Sequence, residues 1–299
     1  MFEDFKENYS GLSLALGFFD GVHIAHKDVI LNAVNFAKEN NTKSAIITFN
    51  NHPAELLGRK IQHITTIEQR NRLITQLGVD YIFSLDFSEK TLNTTDKEYL
   101  EQLHNNFKPL AITTGFNHTF GKMGKGTPQT LKDNQTKYSY KYFQIPAKKI
   151  NDEIVSSSAI RTKLLSGNIK SANLMLGREF EISGEVTKGA QLGRKIGFPT
   201  ANIIYPQNFV QIPYGVYAVE VDIQNNHYSG VMNFGIKPTI NNNEQTPLAE
   251  VHIIGFNQDI YGKNIVVRIK DFIRPEQKFG SLDELKTQIE KDLQACLKL

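Results

Sequence analysis

The sequence predicts an α/β region with a parallel sheet, followed by a mostly β region that ends in one helix. Up to residue 177, short apolar runs alternate with segments of helical periodicity, a pattern typical of parallel sheets with helices on both faces. Between residues 180 and 274 the segments are mostly strand-like. We therefore place a domain boundary near Gly177, with one domain over 1–177 and a second over 178–299.

Apolar runs and helix signals justify the elements of the first domain in turn. Helices are indicated by the apolar spacing between Val29 and Ala37, by 66–77 with Gly78 placed to stop it, and by a capping box that begins at Thr95. The predicted strands are 12–16, 44–49, 79–85, 110–114 and 138–145. Ligands bind beyond the carboxyl ends of such strands, and the residues at or just past these ends are Gly17, Thr48 and Gly115.

The second domain shows several short strand patterns and one closing helix. A capping box at 281–284 opens that helix, which carries Leu282, Leu285, Ile289 and Leu293 at apolar spacing. The predicted strands are 217–223, 228–234, 249–254 and 264–269. Many strands and one helix predict a small barrel or a sandwich.

Composition bounds the class of protein. Of 299 residues, 40% are hydrophobic and 22% charged, and no apolar run reaches the ~18 residues of a membrane span. A net charge of +3 argues against broad nucleic-acid binding. Cys296 is the single cysteine, which excludes an internal disulfide, and residues 1–6 lack the apolar core of a secretion signal. We expect a cytoplasmic protein.

A histidine pair marks the first candidate site. His23 and His26 are three residues apart and follow a strand and a tight turn, so they should lie in the first turn of a helix. There the free backbone amides and the helix dipole attract phosphate, and imidazoles can donate hydrogen bonds to a phosphoryl oxygen in the transition state. An isolated pair is more often two surface or capping histidines, but its position after a glycine-ended strand favours a phosphate site.

A second anion site is predicted where three hydroxyl residues, 156–158, open a helix. Arg161 follows on the first turns and can clamp phosphate, although an ordinary serine cap with a solvated arginine is equally frequent. Asp20 is either a turn residue or a ligand for a sugar hydroxyl or a metal, and composition favours the turn.

Four motifs in one order make the interpretation specific. They are G-x-F-D-G-V-H-x-x-H at 17–26, T-F-N-N-H-P at 48–53, G-F-N-H-T-F-G at 115–121 and S-S-S-x-x-R at 156–161. Together they resemble the adenylyltransferase half of bacterial bifunctional riboflavin kinase/FAD synthetases.

This resemblance implies a nucleotidyltransferase α/β fold that transfers AMP from ATP to FMN, giving FAD and pyrophosphate. The FMN phosphate would attack the α-phosphorus directly, with His23 and His26 stabilising the phosphoryl charge. His52 and Asn117 would lie at the flavin or nucleotide site. The serine turn and the arginine would hold the β- and γ-phosphates within an ATP site formed by Gly17, Phe18, Asp20, Ser156, Ser157, Ser158 and Arg161.

Three positions depart from the family pattern near this site. Ala25 stands where the family has glycine in H-x-G-H, Asn117 replaces an acid, and Gly124 stands where the family tends to carry arginine. These changes leave a second hypothesis open, that of a riboflavin kinase with a weak or inactive adenylyltransferase domain.

A glycine-rich basic segment marks the second candidate site. Its glycines permit close approach of a phosphate chain, and its spacing does not match a Walker loop. Thr200 and Asn202 are two apart on an extended segment and point the same way, as two ligands of one Mg²⁺ should. A basic hairpin with glycine turns is an equally good interpretation of the segment Gly189, Gly193, Arg194, Lys195 and Gly197.

A base is also available. Glu250 and His252 share one face of a predicted strand, and flanking apolar residues suggest that Glu250 is partly buried. A carboxylate within reach of an alcohol can take its proton during phosphoryl transfer. A glutamate on the barrel surface, paired with a lysine, is the alternative.

The second half resembles the riboflavin kinase module of the same family. The motifs are G-F-P-T-A-N at 197–202, N-F-G-I-K-P-T at 233–239, E-V-H at 250–252 and R-P-E-Q-K-F at 274–279. The resemblance implies a six-stranded β-barrel kinase that moves the ATP γ-phosphate to the 5′-hydroxyl of the ribityl chain.

In that module Thr200 and Asn202 would bind Mg²⁺ and phosphate, Glu250 would be the base, and Arg274 would lie in a mobile segment over the flavin. The ATP site would also include Gly189, Gly193 and Lys195. Gly255 departs from the usual aspartate, where we expect only a loop effect.

The sequence thus predicts an enzyme that makes FMN and then FAD from riboflavin and ATP with Mg²⁺, without nucleic-acid or membrane partners. A non-enzymatic flavin- or nucleotide-binding protein built on the same folds is the remaining alternative.

Overall fold

The computed structural model describes residues 9–189, 192–224, 226–237 and 246–298. The chain divides into two compact units, the first unit over 1–157 and the second unit over 158–299. The boundary near Gly177 stays a prediction. The N-terminal residues considered for a secretion signal and the Pro238-Thr239 end of one motif lie outside the described residues. No described helix combines the length and apolar character needed to cross a membrane.

The first unit contains a five-stranded, fully parallel sheet in the order β3-β2-β1-β4-β5. A short antiparallel pair, β6 and β7, follows it. The bounds are β1 Ser13–Leu16, β2 Ser44–Phe49, β3 Tyr81–Leu85, β4 Ala111–Gly115, β5 Lys141–Ile145, β6 Lys149–Ile150 and β7 Glu153–Ile154. The predicted parallel sheet and its five strands are confirmed.

Helices connect these strands, as predicted. The bounds are α1 Ile24–Glu39, α2 Pro53–Leu56, α3 Ile67–Thr75, α4 Glu89–Asn93, α5 Asp96–Phe107, α6 Pro128–Asn134 and α7 Ser157–Leu165, with a 3₁₀ turn at Lys122–Gly124. Thr66 caps α3, and Thr95 caps α5 in the expected reciprocal box with Glu98. Helix α7 begins at the last residue of the first unit.

Two apolar layers cover the two faces of the sheet. Alternate residues of β1 face opposite sides: Leu14 packs in the layer that contains Leu103 and Phe107 of α5, and Ala15 packs in the layer that contains Ile30 of α1. These layers hold the strands in parallel, so the carboxyl ends of β1, β2 and β4 lie at one edge of the sheet.

The second unit contains one six-stranded antiparallel sheet in the order β8-β13-β10-β11-β12-β9. The bounds are β8 Phe180–Glu185, β9 Thr200–Ile204, β10 Gly215–Ile223, β11 Asn226–Lys237, β12 Thr246–Ile253 and β13 Asn264–Pro275. The amide of Thr187, just after β8, donates to the carbonyl of Asn202 in β9 (2.9 Å), so the two edges of the sheet approach each other. The sheet therefore curls into the predicted barrel and does not form a sandwich.

Helices of the second unit lie outside the sheet. Besides residues 158–165 of α7, they are α8 Ile169–Leu176, α9 Leu192–Lys195 and α10 Leu282–Cys296. Ser281 caps α10, but the carboxylate of Glu284 accepts from the amide of Gly280, so the predicted capping box forms in only one direction. Helix α10 packs through Leu293 and Cys296 on apolar residues of β10 and β11.

Candidate active sites

The loop that connects β1 to α1, residues 17–23, has an unusual backbone. Phe19, Gly21 and Val22 have positive φ angles of 57°, 81° and 39°. Glycine adopts such angles freely, but for a β-branched residue such as Val22 they are strained. Strain of this kind persists only where the surroundings enforce it, and it concentrates at functional sites.

The loop ends at the histidine pair. His23 is the N-cap of α1, and its Nδ1 accepts from the amide of His26 (3.2 Å). The two rings stack with centroids 3.5 Å apart, and His23 is 3% exposed. Because Nδ1 of His23 accepts, the neutral ring carries its proton on Nε2 and can donate it to a ligand. The pair lies at the start of the helix, where the dipole favours anions.

Asp20 anchors the loop from within. Its carboxylate is buried and accepts from the amides of Ile64 (2.9 Å) and Thr65 (3.1 Å). The hydroxyl of Ser157 donates to the carbonyl of Asp20 (2.9 Å), which brings the start of α7 to the loop. These bonds give Asp20 a structural function, and its place in an ATP site stays a prediction.

The other residues of the predicted anion site lie around the start of α7. Ser156 precedes the helix, while Ser158 and Arg161 lie on it within the second unit. Their part in binding phosphate stays a prediction.

His52 lies beside the same loop. It is the N-cap of α2, its Nδ1 accepts from the amide of Ala54 (3.1 Å), and its ring meets that of Phe18 edge-on with centroids 4.9 Å apart. Glu55 completes the cap by accepting from the His52 amide (3.0 Å). The structure thus brings His52 next to Phe18, two residues that the sequence assigned to this site.

Arg70 of α3 was missed by the sequence analysis. It is 3% exposed, its Nη1 donates to the carbonyl of Phe18 (3.2 Å), and its guanidinium lies 5.2 Å from the centre of the Phe18 ring. Burial lowers the pKa of Arg70, and the charge of Asp20 opposes that shift. One sequence signal could have indicated that Arg70 is buried. It lies three residues before Leu73 and four before Ile74, which are buried on the apolar face of α3.

Of the three departures from the family pattern near this site, Ala25 lies on α1, and Asn117 and Gly124 lie after β4. Asn117 is exposed, and Gly124 has a φ of 65°, at which the arginine common in the family would be strained. His118, also missed, is partly buried, and burial lowers its pKa to about 4. The glycine at 124 therefore suits the local backbone of this chain.

In the second unit, strand register brings the predicted residues together. Asn202 of β9 lies opposite Glu250 of β12, and Thr200 lies opposite His252. On the other side of β12, Asn233 of β11 is also paired with Glu250. Directly opposite residues on antiparallel strands have Cβ atoms about 5 Å apart on one face, so Thr200, Asn202 and Glu250 form one cluster.

Two cavities meet at this cluster. The larger, of about 660 Å³, is lined by Thr200, Glu250, Arg274 and apolar residues of α10 such as Ile289. The smaller, of about 240 Å³, is lined by Thr200, Asn202, Arg194 and Tyr261 among others. Thr200 lines both cavities, and the larger has the size of a small-molecule site.

Asn202 offers an oxygen ligand. The residue is 4% exposed, and its Oδ1 has no hydrogen-bond partner among the described residues. Leaving a buried carbonyl unpaired is unfavourable, whereas a hard cation binds such an oxygen well. A side chain at Gly189 would collide with the Asn202 amide, which explains this glycine. A side chain at Gly193 would likewise collide with a backbone carbonyl, and the side chain of Lys195 lies outside what the structure describes.

Arg274 forms part of the wall of the larger cavity and lies within β13. Its Nε and Nη2 donate to the carboxylate of Asp292 in α10 (3.0 and 2.8 Å), and its Nη1 donates to the carbonyl of Pro275 (3.1 Å). Asp292 is 3% exposed and also accepts from Gln288 (2.9 Å). Asp292, which no sequence motif indicated, fixes the guanidinium of Arg274 against the cavity.

His252 supports the turn before β9. Its Nδ1 donates to the carbonyl of Pro199 (2.9 Å), and its ring meets that of Phe198 edge-on. The imidazole thereby holds the residues that lead into Thr200.

Fold and sites together define a two-part, nucleotide-dependent transferase: a parallel α/β unit with a histidine pair at a helix start, and a curled barrel with a carboxylate beside oxygen ligands. Residues 5–159 match the family described as FAD synthetase, and residues 176–299 match the family described as riboflavin kinase.

Full-length relatives agree with these matches. The bifunctional riboflavin kinase/FMN adenylyltransferase of Bacillus subtilis is 37% identical over 98% of this chain and 94% of its own. That of Escherichia coli K12 is 33% identical over 94% and 90%. A crystal structure described as a macrolide-efflux protein from Streptococcus pneumoniae superposes with a TM-score of 0.89, at 30% identity, over 99% of this chain and 97% of that one. The chain belongs to the bifunctional riboflavin kinase/FMN adenylyltransferase family, as its motifs indicated.

Proposed function

We propose that the first unit transfers AMP from ATP to FMN and that the second unit phosphorylates riboflavin to FMN. The observation that carries the proposal is that one chain holds both a histidine pair at a helix start and Glu250 in register with Asn202 beside two cavities that meet at Thr200. The similarity to two-activity relatives over nearly the whole chain supports it.

In the kinase reaction, the larger cavity takes riboflavin and the smaller takes ATP. The ribityl 5′-hydroxyl lies by Glu250, which accepts its proton as the oxygen bonds to the γ-phosphorus. The bond from the γ-phosphorus to the β–γ bridging oxygen breaks, and ADP leaves. Thr200, which lines both cavities, is placed where the two substrates meet.

Mg²⁺ fits the second unit. The buried Oδ1 of Asn202 and the hydroxyl of Thr200 are hard oxygen donors two residues apart on β9. When bound, the ion neutralises charge on the ATP phosphates. Arg194 adds a positive charge to the same cavity.

In the adenylyl transfer, a phosphate oxygen of FMN bonds to the α-phosphorus of ATP while the bond to the α–β bridging oxygen breaks and pyrophosphate leaves. The attacking phosphate is already ionised at neutral pH, so no protein base is required. His23 and His26 donate to the phosphoryl oxygens as charge builds there. Ser156, Ser157, Ser158 and Arg161 bind the departing phosphates, Gly17 and Phe18 line the ATP site, and His52 and Asn117 contact flavin or nucleotide.

To test the proposal, the full-length protein is incubated with a flavin, ATP and Mg²⁺, and the flavins are then separated by chromatography. Riboflavin should give FMN and FAD, added FMN should give FAD, and chelation of the metal should stop the kinase reaction. If riboflavin gave FMN but added FMN gave no FAD, the protein would be a riboflavin kinase without adenylyltransferase activity. No conversion of either flavin would leave a flavin-binding protein without activity. A cytoplasmic location stays a prediction from the sequence, and fluorescence microscopy of a tagged chain would test it.

A further inference from the structure

The strained loop at 17–23 is held by one segment of the first unit at three successive points. The amide of Gly21 donates to the hydroxyl oxygen of Thr65 (3.1 Å), and the amides of Ile64 and Thr65 donate to the carboxylate of Asp20. The third point is the carbonyl of Phe18, which accepts from Nη1 of Arg70 on the helix that follows this segment. Residues 64–70 are therefore hydrogen-bonded to the loop along most of its length.

Burial of the charged guanidinium of Arg70 at this position is energetically unfavourable. It is 3% exposed, and its Nε and Nη2 have no hydrogen-bond partner among the described residues. Burying a charged group with incomplete hydrogen bonding is unfavourable, and an apolar side chain of similar length would pack there more easily. What Arg70 provides and an apolar residue cannot is the hydrogen bond to Phe18, together with the contact between its guanidinium and the Phe18 ring.

The loop needs such bonds because it is strained. Phe19 and Val22 both have positive φ angles, and an L residue held there relaxes when its supports are removed. His23 follows Val22 directly, and its ring stacks on that of His26. A change in the backbone at 18–22 would therefore rotate or shift the first imidazole and disturb its stacking on the second.

We propose that Arg70 is a positioning residue for adenylyl transfer: its bond to the Phe18 carbonyl holds the strained loop and thereby places His23 and His26 at the start of α1. Arg70 acts through the loop and does not contact substrate. The inference rests on the proposed activity of the first unit, so the unaltered chain is assayed first for FAD formation from FMN. If it makes no FAD, the proposed function fails before Arg70 is tested.

The experiment compares Arg70→Met, Arg70→Lys and the neighbouring exposed Arg72→Met in the full chain. For FAD formation, Arg70→Met should lower kcat about tenfold or more, since small displacements of reacting groups have effects of this order. The KM values for FMN and ATP should stay within about threefold, because Arg70 is only 3% exposed and acts through the loop. Arg70→Lys keeps one donor for Phe18 and should recover most of kcat, and Arg72→Met should match the unaltered chain.

Each opposite outcome overturns the proposal. An unchanged kcat in Arg70→Met would show that the bond does not position the histidines. A rise in KM without a loss of kcat would make Arg70 a substrate-binding residue, and a Lys variant no better than Met would show a purely packing role. Riboflavin phosphorylation, measured in the same preparation, checks the second unit, and circular dichroism checks the fold.

Thr48→Val keeps the test valid if Arg70→Met fails to fold. Thr48 is buried, and its hydroxyl donates to the same carbonyl of Phe18 (3.0 Å). Valine keeps the shape and removes only that donor. We expect a severalfold loss of kcat for FAD formation with unchanged KM values, and an unaltered kcat would contradict the proposal.

Discussion

The two units hold their reactive groups in different ways. In the first unit, the histidine pair follows a loop with positive φ angles that is held by bonds from three separate segments, at Thr48, at 64–70 and at Ser157. In the second unit, Asn202 and Glu250 are neighbours because β9 and β12 pair in regular register. The irregular loop depends on each of the hydrogen bonds that hold it, whereas a barrel strand is held by many equivalent backbone hydrogen bonds.

The chemistry follows the same division. In the proposed adenylyl transfer the FMN phosphate is already a nucleophile, so the first unit would need donors for developing charge and no base. In the proposed kinase reaction the ribityl hydroxyl must lose its proton, and Glu250 lies in the wall of the larger cavity, where it can accept that proton. The first site therefore needs accurate orientation of imidazoles, and the second needs a base in the right ionisation state.

The largest effect is expected for Glu250→Gln. The amide keeps the shape of the side chain but cannot accept the proton of the ribityl hydroxyl, so kcat for FMN formation should fall by at least ~100-fold. FAD formation from added FMN should be unchanged in the same preparation. Flavin chromatography after incubation with either flavin measures both. Equal loss of the two activities would show that the sites are not independent.

His23→Ala should produce the reverse pattern with a slightly smaller effect. Removing a donor to the phosphoryl oxygens is expected to raise the barrier of adenylyl transfer by about 3 kcal/mol, roughly 100-fold in kcat. Alanine also removes the acceptor for the His26 amide, so His23→Asn, which can still cap α1, separates capping from chemistry. If the asparagine variant retained full FAD formation, the imidazole would have no role in the transfer.

The positions of both predicted clusters follow from local sequence patterns, and their roles in the reactions stay predictions. The histidines follow a glycine-ended strand, and Thr200 and Asn202, like Glu250 and His252, are two apart on strands and so share a face. The contact between Arg70 and Phe18 could not be predicted, since the two residues are 52 positions apart in the sequence. Asp292 likewise reads as one more charge on an amphipathic helix until the fold places Arg274 beside it.

The fold shows the same limit. Apolar sequence patterns predicted most elements. The choice between a barrel and a sandwich depended on pairing between strands that are distant in sequence, such as β8 and β13, where Phe180 lies opposite Ile269. The helix at 169–176 was missed because eight residues hold too few apolar repeats to be distinguished. The half-formed capping box at Ser281 has a local cause, since Glu284 reaches the amide of Gly280 instead.

Asp292→Asn tests how far the barrel tolerates the loss of one support. Asparagine keeps one acceptor oxygen but loses the charge that fixes Arg274 in the cavity wall, so the riboflavin KM should rise about tenfold with a smaller change in kcat. The KM for ATP should be unaffected, because Asp292 lines only the larger of the two cavities described above. Asp283→Asn at the exposed start of the same helix is the control, and an unchanged riboflavin KM in Asp292→Asn would refute the role of the ion pair.

The smallest effect concerns pH and the stability of the first unit. Burial lowers the pKa of His118 to about 4, so the folded protein keeps this ring neutral while the unfolded chain protonates it near its usual value of about 6.5. Stability is therefore complete above pH 6.5 and is lost as the pH falls from there towards 4. Between pH 7 and pH 5 we expect the free energy of unfolding to fall by about 1 kcal/mol, reduced from the full linkage value because the ring is only partly buried.

The substitution His118→Phe should remove this loss, whereas His227→Phe, at an exposed histidine of the second unit, should not. Urea unfolding of the first-unit transition at the two pH values measures it, and an identical pH dependence in the native chain and His118→Phe would show that His118 does not titrate as its burial requires.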